Sequence, residues 1–162
     1  RGLTPEKLEA TRFRLARAFG ADACVDMAKP DARQSLRRLV GRLADHGRAD
    51  VVFETSGSPS AYQDALEVVR WGGTLCLLGI PTRPVTLDFA RQVILPGITL
   101  KGIIGRRIFE TWEWMIPLLR SSLASQLLES GFISHVFPLT RFQDAFDALR
   151  DGSGIKVLLQ PV

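Results

Sequence analysis

The sequence predicts an α/β fold whose strands form a parallel sheet, and three observations indicate it. Short apolar runs of strand length alternate along the chain with longer segments whose apolar residues recur at helical spacing. Residues 50–81 contain two such runs, 51–53 and 74–78, on either side of a helical segment, which is the pattern of a βαβ unit. The chain contains no internal repeat, linker or low-complexity segment that would indicate another architecture.

The βαβ unit is the centre of the predicted fold. Residues 51–53, Val-Val-Phe, are β-branched or aromatic, as in a strand that is buried on both faces. Ser58 followed by Pro59 predicts a helix start, with serine as the N-cap and proline at the first helical position. Residues 71–73, Trp-Gly-Gly, predict the end of that helix, and residues 74–78 predict the second buried strand.

The flanking segments continue the alternation of strands and helices. Before the centre, the sequence predicts a helix from Thr4 to Gly20, a short strand at residues 23–25 and a helix that ends near His46. After the centre, the predicted elements are a short helix capped by Asp88, a strand over 98–104, helices over 106–122 and 124–130, an extended stretch at 136–139, a helix capped by Thr140 and a strand over 156–160.

Composition restricts the class of protein. Hydrophobic residues make up 46% of the 162 residues, which is enough for a packed core and argues against disorder. No apolar run has the length of a membrane span. The formal charge of +4 comes from scattered arginines rather than a basic block, so neither nucleic acid nor a membrane surface is expected as a partner. Cys24 and Cys76 are expected to be buried free thiols, which favours the reducing cytoplasm.

Motifs of common catalytic and nucleotide-binding sites are missing from the sequence. It has no Gly-x-Gly-x-x-Gly or Walker A loop, no Gly-x-Ser-x-Gly elbow and no His-Glu-x-x-His. His135 is a catalytic candidate by residue type only, and a structural role is the preferred interpretation. Glu54, which ends the first central strand, could meet a sugar hydroxyl or form a charge pair at the sheet edge. We therefore assign no catalytic or metal-ligating residue and expect a ligand beyond the carboxyl ends of the strands, near 55–58 and 78–81.

Several short motifs of the sequence are shared with a known family. They lie at residues 54–57 (Glu-Thr-Ser-Gly), 72–73, 78–81, 101–112, 134–135, 146–148 and 156–157, and the stretch Phe-Glu-Thr-Trp at 109–112 is the most specific of them. These motifs resemble those of the zinc-dependent medium-chain dehydrogenases, and within that family they are most similar to the L-threonine 3-dehydrogenases. The resemblance begins near Arg12 and covers only the carboxyl-terminal half of such an enzyme.

The resemblance implies a fold, a reaction and a set of site residues. The fold is an NAD-binding Rossmann domain, a doubly wound parallel sheet, which is paired in complete enzymes with a GroES-like zinc domain. The reaction is oxidation of a zinc-bound secondary alcohol, L-threonine, with hydride transfer to nicotinamide. The resemblance also implies a basic residue near the adenosine ribose of the cofactor, and Arg12 and Lys7 are alternative candidates for it. An exposed helix arginine is an equal interpretation of Arg12. By similarity, the residues that line the NAD site are Arg12, Leu78, Gly79, Ile80, Ile103 and Ile104.

The sequence departs from complete family members in what should precede Arg1. The first βαβ unit with its glycine-rich loop, the acidic residue after the second strand and the zinc domain have no counterpart in residues 1–162. We therefore expect an incomplete NAD(P)-binding Rossmann domain with a carboxyl-terminal return segment at about 132–162, and no catalysis by this chain alone.

Alternatives stay open at this point. The chain could come from a sorbitol or alcohol dehydrogenase relative, or be a non-catalytic nucleotide-binding or interaction module. The strand over 98–104 is expected at the far edge of the sheet, where it could pair with a second copy in a homo-oligomer. Because strands 1 and 2 of a Rossmann sheet are missing, residues 23–25 should either pair directly with 51–53 or be loosely folded.

Overall fold

The structure, a computed structural model, describes residues 3–105 and 107–161. The chain divides into two compact units, one formed by residues 29–106 and the other by residues 1–28 together with 107–162. The strands pair in parallel in both units, so the predicted α/β class with parallel strands is confirmed. None of the helices in the described ranges has the length and apolar character needed to cross a lipid bilayer.

The central unit is a three-stranded parallel sheet with helices. The elements are α3 (Ala32–Leu43), β1 (Ala49–Glu54), α4 (Pro59–Val68), β2 (Val69–Leu77), a wide helical turn (Ala90–Ile94) and β3 (Thr99–Gly102). The sheet has the order β1-β2-β3, which places β2 between the two edge strands. Val52 of β1 pairs with Leu75 of β2 and Phe53 with Cys76, and Leu75 in turn pairs with Leu100 of β3.

The core of this unit lies on one face of the sheet. Leu75 of β2, the middle strand, is 1% exposed and packs with Val69, also in β2, and with α4. Apolar residues recur at helical spacing in α4 and at every second position in the strands. The helix and the strands therefore point their apolar side chains into the same cluster. The other buried members of the cluster are Ala65, Leu66 and Ile98, with Val52, Leu77, Leu87 and Leu100 partly buried against them.

The prediction that the first central strand is buried on both faces was wrong. Val52 faces the core, but Val51 and Phe53 point to the opposite face and are exposed, Phe53 by 63%. Strand β1 pairs on one side only, with β2, in the part of the chain that the structure describes. The apolar run is therefore covered on one face rather than two.

Two other boundaries in the central unit differ from the prediction. Pro59 begins α4 as expected, but the Ser58 hydroxyl makes no cap bond and contacts the Ser60 hydroxyl instead. Helix α4 ends at Val68, so residues 71–73 lie inside β2 rather than ending the helix. Strand β2 needs a glycine at residue 73, because a Cβ atom there would lie 2.9 Å from the carbonyl oxygen of Asp50 in the neighbouring strand.

The second unit joins the beginning of the chain to its end. Lys7 forms an ion pair with Asp151 at 3.4 Å, and Arg14 donates a hydrogen bond to the carbonyl oxygen of Ser130. The predicted helix over 106–122 is shorter than expected, and Arg106 lies outside the described residues. The elements are α1 (Pro5–Leu8), a wide helical turn (Glu9–Phe13), α2 (Arg14–Ala18), α5 (Glu110–Arg120), α6 (Ser122–Glu129), β4 (Ile133–Pro138), a 3-10 turn (Leu139–Arg141), α7 (Phe142–Arg150) and β5 (Lys156–Gln160).

Two predictions in this unit were wrong. Residues 23–25 form no strand, and the three-stranded sheet contains only β1, β2 and β3 among the described residues, so direct pairing with residues 51–53 is not seen. A run of three residues becomes a strand only if a neighbouring strand supplies its hydrogen bonds. Thr140 does not cap α7, because it lies within the 3-10 turn and Arg141 precedes the helix. The last strand, Lys156–Gln160, agrees with the predicted bounds.

Candidate functional site

The carboxyl ends of β1, β2 and β3 meet at one edge of the central sheet. The main-chain oxygen of Glu54 accepts hydrogen bonds from the amides of Leu78 (2.8 Å) and Gly79 (3.0 Å). The amide of Ile103 donates to the carbonyl oxygen of Leu77 at 2.9 Å. These bonds extend the parallel ladder one step beyond the strands and hold the three following turns side by side. We call these turns, residues 55–57, 78–80 and 103–104, the carboxyl edge.

The carboxyl edge presents apolar side chains to the outside. Leu78 and Ile103 are exposed, Ile80 is 76% exposed and Ile104 is 89% exposed. Contiguous exposed aliphatic groups at the ends of parallel strands are typical of a surface that a ligand or another part of a protein covers. The structure thus brings together five of the six predicted site residues, the four named here and Gly79, within one unit.

The first two turns of the carboxyl edge touch through their backbones. Gly57 has a φ of +67°, and a side chain at this residue would meet the main chain of Ile80, whose carbonyl carbon lies 2.8 Å from the Cβ position. A side chain at Gly79 would overlap the backbone nitrogen of Gly57 and the carboxylate of Glu54. Only glycine at both positions permits this close approach.

The carboxylate of Glu54 meets neither a sugar hydroxyl nor a charged partner in the part of the chain that the structure describes, but the donors of the turn that follows it. Glu54 is 4% exposed, and its Oε1 accepts hydrogen bonds from the amide of Ser56 (2.8 Å) and from the Ser56 hydroxyl. Both carboxylate oxygens lie 3.1 Å from the amide nitrogen of Gly57. Among the described residues Glu54 forms no ion pair within 4.0 Å, so its partners are the donors of the next turn. The sequence Glu-x-Ser-Gly at the end of a strand could have indicated this role, because a carboxylate there can accept hydrogen bonds from the amides of the following turn.

Tyr62 supports the second turn from α4. Its hydroxyl donates a hydrogen bond to the carbonyl oxygen of Gly79 at 2.5 Å, and the residue is buried. Burial raises the pKa of the Tyr62 phenol above its ordinary value, and the nearby Glu54 carboxylate raises it further by disfavouring a second negative charge. Tyr62 was not among the predicted site residues.

We expect Tyr62 to ionise at a pH above the ordinary tyrosine value of 10.0. Because the folded pKa is raised, the stability that this group contributes is fully present below the unfolded pKa and is lost as the pH rises through the folded pKa. Tyr62 is the only tyrosine in the chain, so phenolate absorbance in a pH titration reports it alone. Tyr62→Phe should lower the free energy of unfolding by about 1 kcal/mol through the lost hydrogen bond. A titration at or below the ordinary pKa would contradict this prediction.

The sixth predicted site residue, Arg12, lies in the other unit. Its Nη2 donates to the carbonyl oxygen of Gly154 at 2.6 Å, and its buried Nη1 has no hydrogen-bond partner among the described residues. Lys7, the alternative at this position, pairs with Asp151. The Asp151 pKa lies below its ordinary value mainly because the backbone and hydroxyl of Ser153 donate to it, with a smaller contribution from Lys7. A role for Arg12 toward a cofactor stays a prediction.

Neither histidine takes part in a cluster with metal-ligating residues. Within residues 3–105 and 107–161, no group of three or more His, Cys, Asp or Glu side chains is placed to hold a metal ion. His135 lies in β4, where its Nδ1 contacts the Ser134 hydroxyl at 3.0 Å and its ring stacks on Phe137. These contacts agree with the structural role that is the preferred interpretation of His135.

A cavity lies at the opposite end of β2, away from the carboxyl edge. It has a volume of 340 Å³ and is lined by the exposed Trp71 and by Arg37, Arg48 and Arg91. Two of its three arginines are already engaged, since Arg37 pairs with Glu67 at 2.7 Å and Arg48 donates to main-chain oxygens of residues 67 and 69. The carboxyl edge is therefore the better candidate site.

Residues 7–121 match the family model described as zinc-binding dehydrogenase. The chain belongs to this family. Among curated relatives, it is 36% identical over 150 residues to the L-threonine 3-dehydrogenase of Bacillus subtilis (strain 168), covering 93% of this chain and 41% of the relative. It is 39% identical over 148 residues to the L-threonine 3-dehydrogenase of Shewanella sediminis (strain HAW-EB3), covering 91% and 41%. This zinc-binding dehydrogenase chain thus spans about two fifths of the length of these relatives.

Solved structures agree with the fold of this family member. The alcohol dehydrogenase of Thermotoga maritima superposes with a TM-score of 0.78 at 24% identity, over 99% of this chain and 42% of that chain. The 2R,3R-butanediol dehydrogenase of Bacillus subtilis gives a TM-score of 0.72 at 22% identity, over 99% and 42%. These likenesses support the Rossmann-like assignment of the fold.

Proposed function

We propose that this chain is the cofactor-binding part of an NAD-dependent dehydrogenase that oxidises the secondary alcohol of L-threonine to 2-amino-3-oxobutanoate. The observation that carries the proposal is the carboxyl edge, where exposed aliphatic side chains and closely packed glycine turns lie at the ends of parallel strands. Family membership supports the reaction class, and the L-threonine 3-dehydrogenases that match over 91–93% of the chain support the substrate.

The residues of the carboxyl edge fit the nicotinamide half of the cofactor. Leu78, Ile80, Ile103 and Ile104 offer an apolar surface for the ring. Gly79 allows the turn that carries Leu78 and Ile80 to pack closely against Gly57. NAD, when bound, supplies the hydride acceptor. The chain's own residues bind and orient the ring and exclude water from one side of it. The sequence holds no phosphate-binding glycine loop, so the pyrophosphate is left to residues outside this chain.

Zinc does not fit the described residues. They contain no cluster of ligating side chains, so we derive no step through the metal and propose that its ligands lie outside this chain. The cytoplasmic location expected from the two free cysteines, Cys24 and Cys76, stays a prediction.

A test combines the full 162-residue chain with the segment that the L-threonine 3-dehydrogenase of Bacillus subtilis has and this chain lacks. We expect weak or undetectable NAD binding and no turnover by the chain alone, and NAD binding by the chimera in calorimetric titration. Ile104→Lys in the chimera should weaken NAD binding roughly tenfold, because a lysine beside the cationic oxidised ring repels it.

The matched control is Leu95→Lys, which changes an exposed apolar residue of the same unit outside the carboxyl edge. It should leave NAD affinity unchanged. A folded chimera that fails to bind NAD contradicts the proposed function, and micromolar NAD binding by the chain alone would mean that it contains another phosphate site. NADH formation with other secondary alcohols but not L-threonine would favour a sorbitol or alcohol dehydrogenase relative.

We also propose that the chain forms a homo-oligomer through the sheet edge at Ile98–Ile104. Strand β3 pairs with β2 on one side only among the described residues, so its outer hydrogen-bonding groups can accept a second copy. Light scattering should give a dimer, and the outward amides of β3 should exchange more slowly than those of the β1 edge. A monomer at high concentration would contradict this proposal.

A further inference from the structure

We propose that Glu54 is a positioning residue, whose buried carboxylate fixes the backbone of the two turns that carry most of the carboxyl edge. The inference rests on the proposed function, since it gives these turns the task of holding the nicotinamide half of NAD. Glu54 acts through the backbone rather than by contact, because it is 4% exposed and its oxygens already accept hydrogen bonds.

The first turn depends on the carboxylate directly. The amides of Ser56 and Gly57 and the Ser56 hydroxyl all donate to it, so one side chain satisfies three donors. Gly57 is buried and has a φ of +67°, so its amide has no easy access to water if the carboxylate is removed. A buried donor without a partner is costly, and the turn would open to reach solvent.

The second turn depends on Glu54 through two further contacts. The main-chain oxygen of Glu54 accepts the amides of Leu78 and Gly79, and its Oε2 lies where a side chain of Gly79 would be. The backbones of Gly57 and Ile80 are in contact, so a shift of the first turn displaces the second. Leu78 and Ile80 belong to that second turn, so the position of Glu54 determines where their side chains lie.

An apolar residue at position 54 could be buried equally well, but it would leave the amides of Ser56 and Gly57 and the Ser56 hydroxyl without an acceptor. The carboxylate adds two acceptors at the one place where two glycine turns approach each other, and each of its oxygens meets an amide. The Tyr62 hydroxyl holds the second turn from the other side, at the carbonyl of Gly79. The arrangement fixes loop geometry beyond what the pairing of β1 and β2 requires.

The first arm of the test uses the full 162-residue chain and amide hydrogen exchange. Glu54→Gln keeps the side-chain volume but replaces one acceptor oxygen by an NH2 group that opposes the amide of Gly57. We expect faster exchange at Ser56, Gly57, Leu78 and Gly79, with unchanged exchange in the strands. Glu67→Gln, an exposed carboxylate of the same unit, is the matched control and should change none of these amides. Unchanged exchange at both turns in Glu54→Gln overturns the inference.

The second arm measures ligand affinity in the chimera described above. Glu54→Gln should weaken NAD roughly tenfold, about the effect of one hydrogen bond to a charged group, and leave ADP-ribose, which lacks the nicotinamide ring, unchanged. A merely structural role would weaken both ligands alike or neither. Leu75→Val, which destabilises the core without touching the turns, should leave the ratio of the two affinities unchanged.

The two failures are distinguishable. If the wild-type chimera binds NAD and Glu54→Gln binds both ligands as the wild type does, Glu54 is not a positioning residue and the proposed function stands. If the folded wild-type chimera binds neither ligand, the proposed function fails and the inference fails with it, although the exchange arm would still report how Glu54 holds the turns.

Discussion

Replacing Leu75 by alanine should lower the free energy of unfolding by about 2–5 kcal/mol, the range measured for buried leucines. Leu75 is 1% exposed, lies in the middle strand of the central sheet and packs against Ala65, Leu66 and Val69. Both flanking strands and α4 surround it, so the structure has little freedom to collapse into the space that the substitution leaves. Urea denaturation followed by circular dichroism measures the loss.

The control for this prediction is Leu95→Ala in the same unit. Leu95 is 73% exposed, so its truncation should change the free energy of unfolding by no more than about 0.5 kcal/mol. Equal effects of the two substitutions would mean that the core of the central unit is not where the structure places it.

Gly79→Ala should destabilise the chain by about 1–3 kcal/mol or more and disrupt the carboxyl edge. The added methyl group would overlap the amide nitrogen of Gly57 and the carboxylate of Glu54. Neither neighbour can yield easily, because one is backbone and the other is fixed by hydrogen bonds from Ser56 and Gly57. Denaturation measures the loss of stability, and amide exchange at 56–57 shows whether the turn has opened.

Gly102→Ala provides the matched comparison at the end of β3. Apart from its two chain neighbours, none of the described residues has an atom within 4 Å of the position that its Cβ would take, so we expect an effect within about 0.5 kcal/mol. If Gly79→Ala is as well tolerated as Gly102→Ala, the two glycine turns do not approach as closely as the structure describes, and Glu54 does not fix the second turn.

Regular elements with strong local signals could be predicted from the sequence. Pro59 begins α4 because proline lacks the amide that the first helical turn leaves free, and residues 156–160 are a strand with the predicted bounds. The side chain of Asp88 accepts the amide of Arg91 at the start of the wide helical turn, as its capping role required. These features depend on neighbours within a few residues, so the sequence contains the information that they need.

Features that depend on distant partners could not be predicted. Residues 23–25 have strand-like composition but form no strand, and Val51 and Phe53 have core-like composition but are exposed. A strand needs a second strand for its hydrogen bonds, and a buried face needs another element to cover it. The secondary-structure propensity of a residue contains no information about the neighbouring strand or about the element that would cover the face.

The sequence by itself determined the α/β class, because hydrophobic period is readable along the chain, and its local motifs indicated the family. The same resemblance predicts Leu78, Gly79, Ile80, Ile103 and Ile104 as site residues, and that role stays a prediction. Only the tertiary structure assigned Glu54 to the amides of the next turn rather than to a sugar hydroxyl or a charge pair. A carboxylate can accept from any donor that the fold brings near it. Which donors those are depends on how two turns, more than twenty residues apart in sequence, pack at the ends of neighbouring strands.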